Sequence, residues 1–158
     1  MTSPVIDFSA ICTALAARFL AAAIGTPSGA SAMRASYAKP PKAVPATPAH
    51  LLEMQDGTVI ASPGQWKHEM RIDGVFLLAK RPADPERVEA QRHLWLPYLL
   101  HACVDQMKLG LGSATGYSVD KAIPTGWEWT EYAVAGDGYD AITVHWTVYV
   151  TENVSLTP

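Results

Sequence analysis

Apolar residues recur every three or four positions in two stretches of the chain, a spacing that places them on one face of an α-helix. The first stretch follows Asp7, which can cap a helix, and Gly25 is a natural stop for it. The second begins at Pro85, just after an aspartate that can cap the helix, and its apolar face continues to Gly110. Pro97 removes one backbone hydrogen bond, so we expect it to kink or split this helix.

Other stretches alternate apolar and polar residues with the period of two that is typical of a half-buried β-strand. The clearest covers residues 140–152, with isoleucine, valines and tryptophan on one face and mostly threonines on the other. Residues 65–80 alternate at first and then become continuously apolar, which predicts a long strand that is buried toward its end, with Gly74 as a possible bulge. Further strands are predicted over residues 51–55, 58–62, 114–120 and 127–135.

Turn signals separate these strands. Asp56-Gly57 predicts a two-residue hairpin turn, and Gly136-Asp137-Gly138 separates the last two strands. Between residues 25 and 48 the periodic pattern disappears, and five prolines occur among small and basic residues. This composition predicts an extended arm or long loop. We expect the arm to lie on a neighbouring subunit or on another partner protein, so that a chain lacking residues 28–42 would fold but would not assemble.

The order of elements is a helix, three strands, a helix and three strands, without an internal repeat. It predicts one α+β domain over residues 1–158, with a mixed or antiparallel sheet of about five to six strands packed by two main helices. A chain of 158 residues buries roughly 70% of its unfolded surface, so it needs no disulfide or metal. Cys12 and Cys103 fall inside helical patterns, which favours buried thiols and a reducing compartment. Because Arg18 interrupts the apolar residues 8–24, we expect no membrane span there.

The net charge of -3 argues against a dedicated nucleic-acid or anionic-membrane binder, which would carry a basic excess. The charges are unevenly distributed, because residues 1–50 contain four bases and one acid, whereas residues 113–158 contain six acids and one base. Asymmetry of this kind often marks a surface that meets a partner. In a self-associating protein, the partner would be the next copy of the chain.

The sequence contains no sharp catalytic or metal-binding motif. His68-Glu69 begins like a metalloprotease helix, but Ile72 stands where the second ligand must be. The glycines between Gly110 and Gly116 follow a helix instead of preceding one, so they do not form a phosphate loop. We therefore expect no catalytic, cofactor-binding or metal-binding residues and no enzymatic activity.

Aromatic residues concentrate in the last predicted hairpin. Trp127 and Trp129 share one face and Tyr149 lies among threonines, so part of this aromatic area is expected outside the core, although core packing explains the others. Exposed aromatic patches tend to be protein interfaces. Together with the basic residues of the proline-rich segment, the candidate interface residues are Arg34, Tyr37, Lys39, Lys42, Trp127, Trp129 and Tyr149.

In this order of elements, the long strand at residues 65–80 leads into a helix that starts Asp84-Pro85-Glu86, and residues 141–150 (AITVHWTVYV) form the terminal strand. Size and element order together make the whole chain resemble the tail terminator proteins of long-tailed bacteriophages. The resemblance implies a protomer that assembles as a hexameric ring, ends polymerisation of the tail tube and joins the tail to the head or neck. It implies no cofactor, and its partners are the tail tube protein and a head-proximal neck protein. It also implies contact with DNA only in passage, no membrane, and a place in the virion tail or neck after assembly in the host cytoplasm.

A tail conduit must let DNA slide, so its wall should not hold phosphates tightly, and the acidic end of the chain suits such a wall. The basic residues of the proline-rich segment would then face protein partners. Ordinary solvated charges are the alternative for each acid taken singly. We expect some of the acidic residues in this part of the chain to line the channel. The candidate lumen residues are Asp120, Glu128, Glu131, Asp137 and Asp140.

Three other functions remain open at this stage. A head-completion stopper and a tail tube subunit are similar in size, but both tend to be more purely β, and the two predicted helices fit them less well. A small-molecule-binding α+β domain, or a weak enzyme, would use a pocket between the kinked helix and the sheet. The sequence places no nucleophile or base there.

Overall fold

The first helix begins where the sequence predicts. In the computed structural model, which describes residues 6–155, Asp7 caps α1 (Phe8–Ala17) by accepting a hydrogen bond from the backbone N–H of Ala10 at 2.9 Å. The helix ends earlier than the apolar pattern, and a second short helix, α2 (Ala21–Ile24), follows it. Gly25 ends α2 with a φ of 77°, so the predicted stop is confirmed. The sequence predicts one continuous helix before it, whereas the structure has two.

The segment between residues 25 and 48 is mostly loop, but it contributes a strand to the sheet. Residues Ala35–Tyr37 form β1, which pairs in parallel with the next strand. The Ser36 hydroxyl donates to the carbonyl oxygen of Ala16 at 2.6 Å and lies 3.1 Å from Nδ1 of His50, while Met33 is buried in the core. The prediction of an arm without regular structure is wrong at these residues, because three residues are too few to display a period of two.

The next two strands, β2 (Ala49–Ser62) and β3 (Gln65–Lys80), form one long antiparallel hairpin that turns at residues 63–64. The bounds predicted for β3 are confirmed. The hairpin turn predicted at Asp56-Gly57 is wrong, because the register shifts there between Met54 and Gly57 while β2 continues as a bulged strand. A Cβ on Gly57 would lie 3.0 Å from the carbonyl oxygen of Glu69, so the glycine serves a close approach between strands and not a turn.

Gly74 serves a close approach of a different kind. The register passes through it without a shift, pairing it with Leu52 and Val144, so the bulge predicted at Gly74 is wrong. A Cβ here would lie 2.8 Å from Nε2 of His50 and 3.3 Å from Nε1 of Trp146. The missing side chain lets these two buried rings pack against the backbone of β3.

We expect the substitution Gly74→Ala to lower the free energy of unfolding by about 1–3 kcal/mol, because the added methyl group overpacks the space beside His50 and Trp146. Urea denaturation measures the effect. Gly126→Ala is the matched control, since its Cβ would make an ordinary contact of 3.4 Å with the ring of His145. Equal losses in the two variants would refute the role given to Gly74.

The third helix, α3 (Pro85–Leu100), starts as predicted, with Asp84 accepting a hydrogen bond from the backbone N–H of Glu86 at 3.2 Å. It ends three residues after Pro97 and does not continue to residue 110, because residues 101–110 form turns. These turns lie along the following strand, where Met107 accepts a hydrogen bond from the backbone N–H of Ala122 at 2.7 Å.

The last two strands, β4 (Tyr117–Val134) and β5 (Asp137–Asn153), form a second long hairpin. The strands predicted at 114–120 and 127–135 are therefore one strand, in which register shifts after Val119 and Pro124 absorb the irregular residues. The alternation predicted for the last strand is confirmed. Its apolar face is at most 1% exposed and consists of Ile142, Val144, Trp146, Val148 and Val150.

The strands form one mixed five-stranded sheet in the order β1-β2-β3-β5-β4, so the fold is α+β. The main core lies between α1, α3 and one face of the sheet, which we call the helix-bearing face. The opposite face, which we call the open face, has a smaller apolar cluster that contains no helix residue. Within residues 6–155, no helix is both long enough and apolar enough to cross a membrane.

Candidate functional site

One edge of the sheet, formed by β1, is basic. Arg34 is exposed just before β1, and Lys39 and Lys42 are exposed after it. Among the described residues, none of these three bases forms an ion pair. Tyr37 is half-buried in the strand and packs on the apolar cluster of the open face. Four of the seven predicted interface residues therefore lie in β1 or within five residues of it along the chain.

The other edge, formed by β4, carries aromatic and acidic residues. Trp127 is 46% exposed, and its ring lies 4.8 Å from the ring of Trp129, which the guanidinium of Arg92 covers at 5.5 Å. Glu128 and Glu131 are exposed on the same strand. Tyr149 does not join this group, because it lies on the inner strand β5 with the Lys121 ammonium 4.7 Å from its ring centre.

The five predicted lumen acids do not lie on one surface. Asp120 accepts a hydrogen bond from Thr151, Glu128 lies 3.6 Å from Nε2 of His145, and Asp137 lies 3.1 Å from the Lys80 ammonium, all three on the open face. Glu131 and Asp140 lie on the helix-bearing face, where Arg81 binds both at 2.5 and 3.5 Å. A channel wall formed by one face of the sheet would therefore contain only part of the set.

The basic and acidic edges stand at the same height along the strands. The pairing connects Ala35 of β1 through residues 49, 77 and 141 to Thr130 of β4, in one row across the sheet. Arg34 and Glu131 each lie one residue from this row, at opposite ends of it. The two edges thus present charges of opposite sign at matching positions.

The open face carries a polar network that sequence analysis missed. His145 lies between Asp73, whose Oδ1 is 2.7 Å from its Nδ1, and Glu128. The Tyr132 hydroxyl donates to Glu53, and burial together with this carboxylate raises the pKa of Tyr132. The threonines of β5 are visible in the sequence, but their hydrogen-bond partners Asp120, Thr125 and Thr130 come from β4, and strand pairing alone brings them together. Within the described chain, no group of three or more histidine, cysteine or acidic residues could hold a metal ion.

A cavity of about 440 Å³ lies between α3, the end of β3 and the loops at residues 29–31 and 47–48, where a small molecule could bind. Part of its polar lining is already engaged, since Asp84 caps α3 and Gln91 donates to the carbonyl oxygen of Gly29 at 3.4 Å. Arg87 and Trp95 complete the wall on the helix side. This lining offers a binding surface but no nucleophile beside a base.

Both cysteines are free and buried, as the sequence predicts. Burial raises the pKa of the Cys12 thiol and raises the pKa of Cys103 to about 12. Because the thiolate is the nucleophile, neither side chain is poised for covalent chemistry near neutral pH.

Comparison with known proteins assigns no family to the chain. No family model matches it, and no curated protein matches it. The surfaces of the sheet, and in particular its two edges, are the features that indicate a function.

Proposed function

We propose that this chain is the subunit of a closed ring. The observation that carries the proposal is the opposite charge of the two sheet edges, with Arg34, Lys39 and Lys42 at one edge and Glu128 and Glu131 at the other. A cyclic ring of more than two copies uses a heterologous interface, in which one surface of each copy meets a different surface of the next. A protomer with complementary surfaces on opposite sides suits this arrangement.

Within that proposal, the ring is a phage tail terminator, as the resemblance of the chain implies. It would end polymerisation of the tail tube, join the tail to the neck and perform no catalysis. If the strands run along the ring axis with the open face inward, Asp120, Glu128 and Asp137 would line the lumen. Their charge would keep DNA phosphates from binding there during passage.

The test is native mass spectrometry of the protein alone over a range of concentrations and then with the tail tube protein. We expect closed rings of one size, with six copies giving about 102 kDa from a chain of 17.0 kDa. Negative-stain images should contain rings with an open centre. A protein that stays monomeric at every concentration, with and without tube protein, would refute the proposal.

Tube polymerisation separates the related phage functions. Added in excess to polymerising tube protein, a terminator should bind the tube end and shorten the tubes. A tail tube subunit would itself extend into tubes, and a head-completion stopper would leave tube length unchanged. The length distribution in electron micrographs therefore distinguishes the three functions.

A further inference from the structure

We infer that β1 of one copy pairs with the free part of β4 of the next copy, within residues 123–134, so that the sheet continues across the subunit boundary. This inference rests on the proposed ring and names the surface that builds it. Its partner is a second copy of the same chain.

Both segments have an unused edge. In the described part of the chain, β1 forms backbone hydrogen bonds in the sheet only with β2. The outer side of β4 is bonded near its start, where Leu111 and Met107 accept from Val119 and Ala122. From residue 123 onward, no such bond joins β4 to a described segment other than β5. Rows of unpaired N–H and C=O groups are ready to pair with another chain.

The strand directions permit this pairing. β1 runs parallel to β2, and each further step across the sheet, through β3 and β5 to β4, is antiparallel. β4 therefore runs opposite to β1. A rotation about an axis along the strands keeps every strand direction, so β4 of one copy and β1 of the next would meet as an antiparallel pair, with the same face of the sheet inward.

The row that joins Ala35 to Thr130 suggests the register. If this height is kept across the boundary, Ala35 faces Thr130 and Arg34 faces Glu131. The same register puts Trp129 opposite Ser36, a large side chain beside a small one, and brings Lys39 diagonally next to Glu128. Opposite charges on directly facing residues stabilise a strand pair, and diagonal neighbours are also within reach of long side chains.

The free part of β2 is the competing edge. Beyond Leu51 this strand has no partner on its outer side among the described residues, and Val59 and Ile60 are 52% and 70% exposed on it. At the same height, its Glu53 would face Gly126 of β4 and lie diagonally next to Glu128, with like charge. Charge complementarity therefore favours β1 as the partner of β4.

A charge exchange tests the facing pair. Arg34→Glu should raise the concentration at which half of the copies are in rings by roughly tenfold, because two glutamates would then face each other at every boundary. Glu131→Lys should weaken the ring as well, and the double variant should restore it toward the wild-type value. Lys108→Glu, which reverses an exposed charge in the turns after α3, is the matched control and should leave the ring intact.

The double variant also separates the interface from the monomer. Glu131 binds Arg81 within its own chain, so Glu131→Lys disturbs the monomer in both backgrounds. Recovery of assembly when Arg34→Glu is added can therefore come only from the partner copy. Additive losses would overturn the inferred register.

A disulfide test locates the strands. In the presence of oxidised glutathione, the variant Ala35→Cys with Thr130→Cys should give a covalent ladder on a non-reducing gel that ends at the ring size. The pair Glu53→Cys with Gly126→Cys, which lie in one row through residues 73 and 145, tests the β2 edge and should remain uncrosslinked. The native Cys12 and Cys103 are buried, so they should not contribute to the ladder.

The outcomes distinguish the two proposals. Rings that form without the Ala35–Thr130 ladder, or with the Glu53–Gly126 ladder in its place, would overturn the β1–β4 pairing and leave the ring standing. A protein without any self-association, alone or with tube protein, would overturn the ring and the pairing together.

Discussion

A chain that lacks residues 28–42 is expected to lose its cooperative unfolding transition and to fail to fold, not to remain a folded monomer. The deletion removes β1 and the buried side chain of Met33. Truncating a buried methionine to alanine by itself lowers the free energy of unfolding by about 2–5 kcal/mol. The deletion also removes the hydrogen bond between the Ser36 hydroxyl and Nδ1 of His50. A buried polar group left without its partner costs about 1–3 kcal/mol. Together these losses are comparable to the roughly 5–15 kcal/mol by which whole domains are stable.

Thermal unfolding followed by circular dichroism measures this outcome. Lys42→Ala is the control, because this exposed side chain in the same segment should change the free energy of unfolding by less than about 0.5 kcal/mol. A deletion variant that melts cooperatively within a few degrees of the full chain would contradict the assignment of residues 28–42 to the fold. It would support the arm that the sequence pattern predicts.

The parts of the fold that could be predicted are those whose pattern is long and local. β3 and β5 each repeat their period over many residues, and the caps at Asp7 and Asp84 need only the residues that follow them. The pattern is ambiguous at Asp56-Gly57 and near Pro124, because the residues that permit a turn also permit a bulge. Only the partner strand decides between them, and it is distant in the sequence.

The candidate interface was predictable in composition but not in position. The basic first third and the acidic last third of the chain are visible by counting residues. Their placement on opposite edges depends on β5 inserting between β3 and β4, so that the terminal strand is internal and β4 forms the edge. This insertion also explains why Tyr149 lies on an inner strand of the sheet, apart from the tryptophans of β4.

Because of His50, the free energy of unfolding is expected to fall steeply as the pH decreases below about 6.5. This side chain is buried between Phe19, which stacks on it at 3.7 Å, and the backbone of Gly74, and burial lowers its pKa from 6.5 to about 3. The hydroxyl of Ser36 donates to Ala16, so it accepts from Nδ1–H of His50, and in the neutral ring Nε2 then carries no proton. Protonating this ring in the folded chain would place a positive charge in the core, which burial disfavours.

The direction of the effect follows from the two protonation states. Above pH 6.5 the ring is neutral in the folded and unfolded chains, so its contribution to stability is fully present. Between pH 6.5 and 3 only the unfolded chain binds the proton, and the free energy of unfolding falls by about 1.4 kcal/mol per pH unit, or about 5 kcal/mol in total. At pH values approaching the folded pKa this contribution is lost.

Urea denaturation at several pH values between 4 and 8 measures the slope, and His50→Gln provides the comparison because glutamine does not titrate. The variant will be less stable at pH 8, since it loses the stacking on Phe19, so the informative quantity is the slope and not the level. Carboxylates contribute equally to both slopes, and their difference isolates His50. A wild-type slope that equals the slope of the variant between pH 4 and 6.5 would mean that His50 takes up its proton in the folded state, and that the core around Gly74 admits a charge.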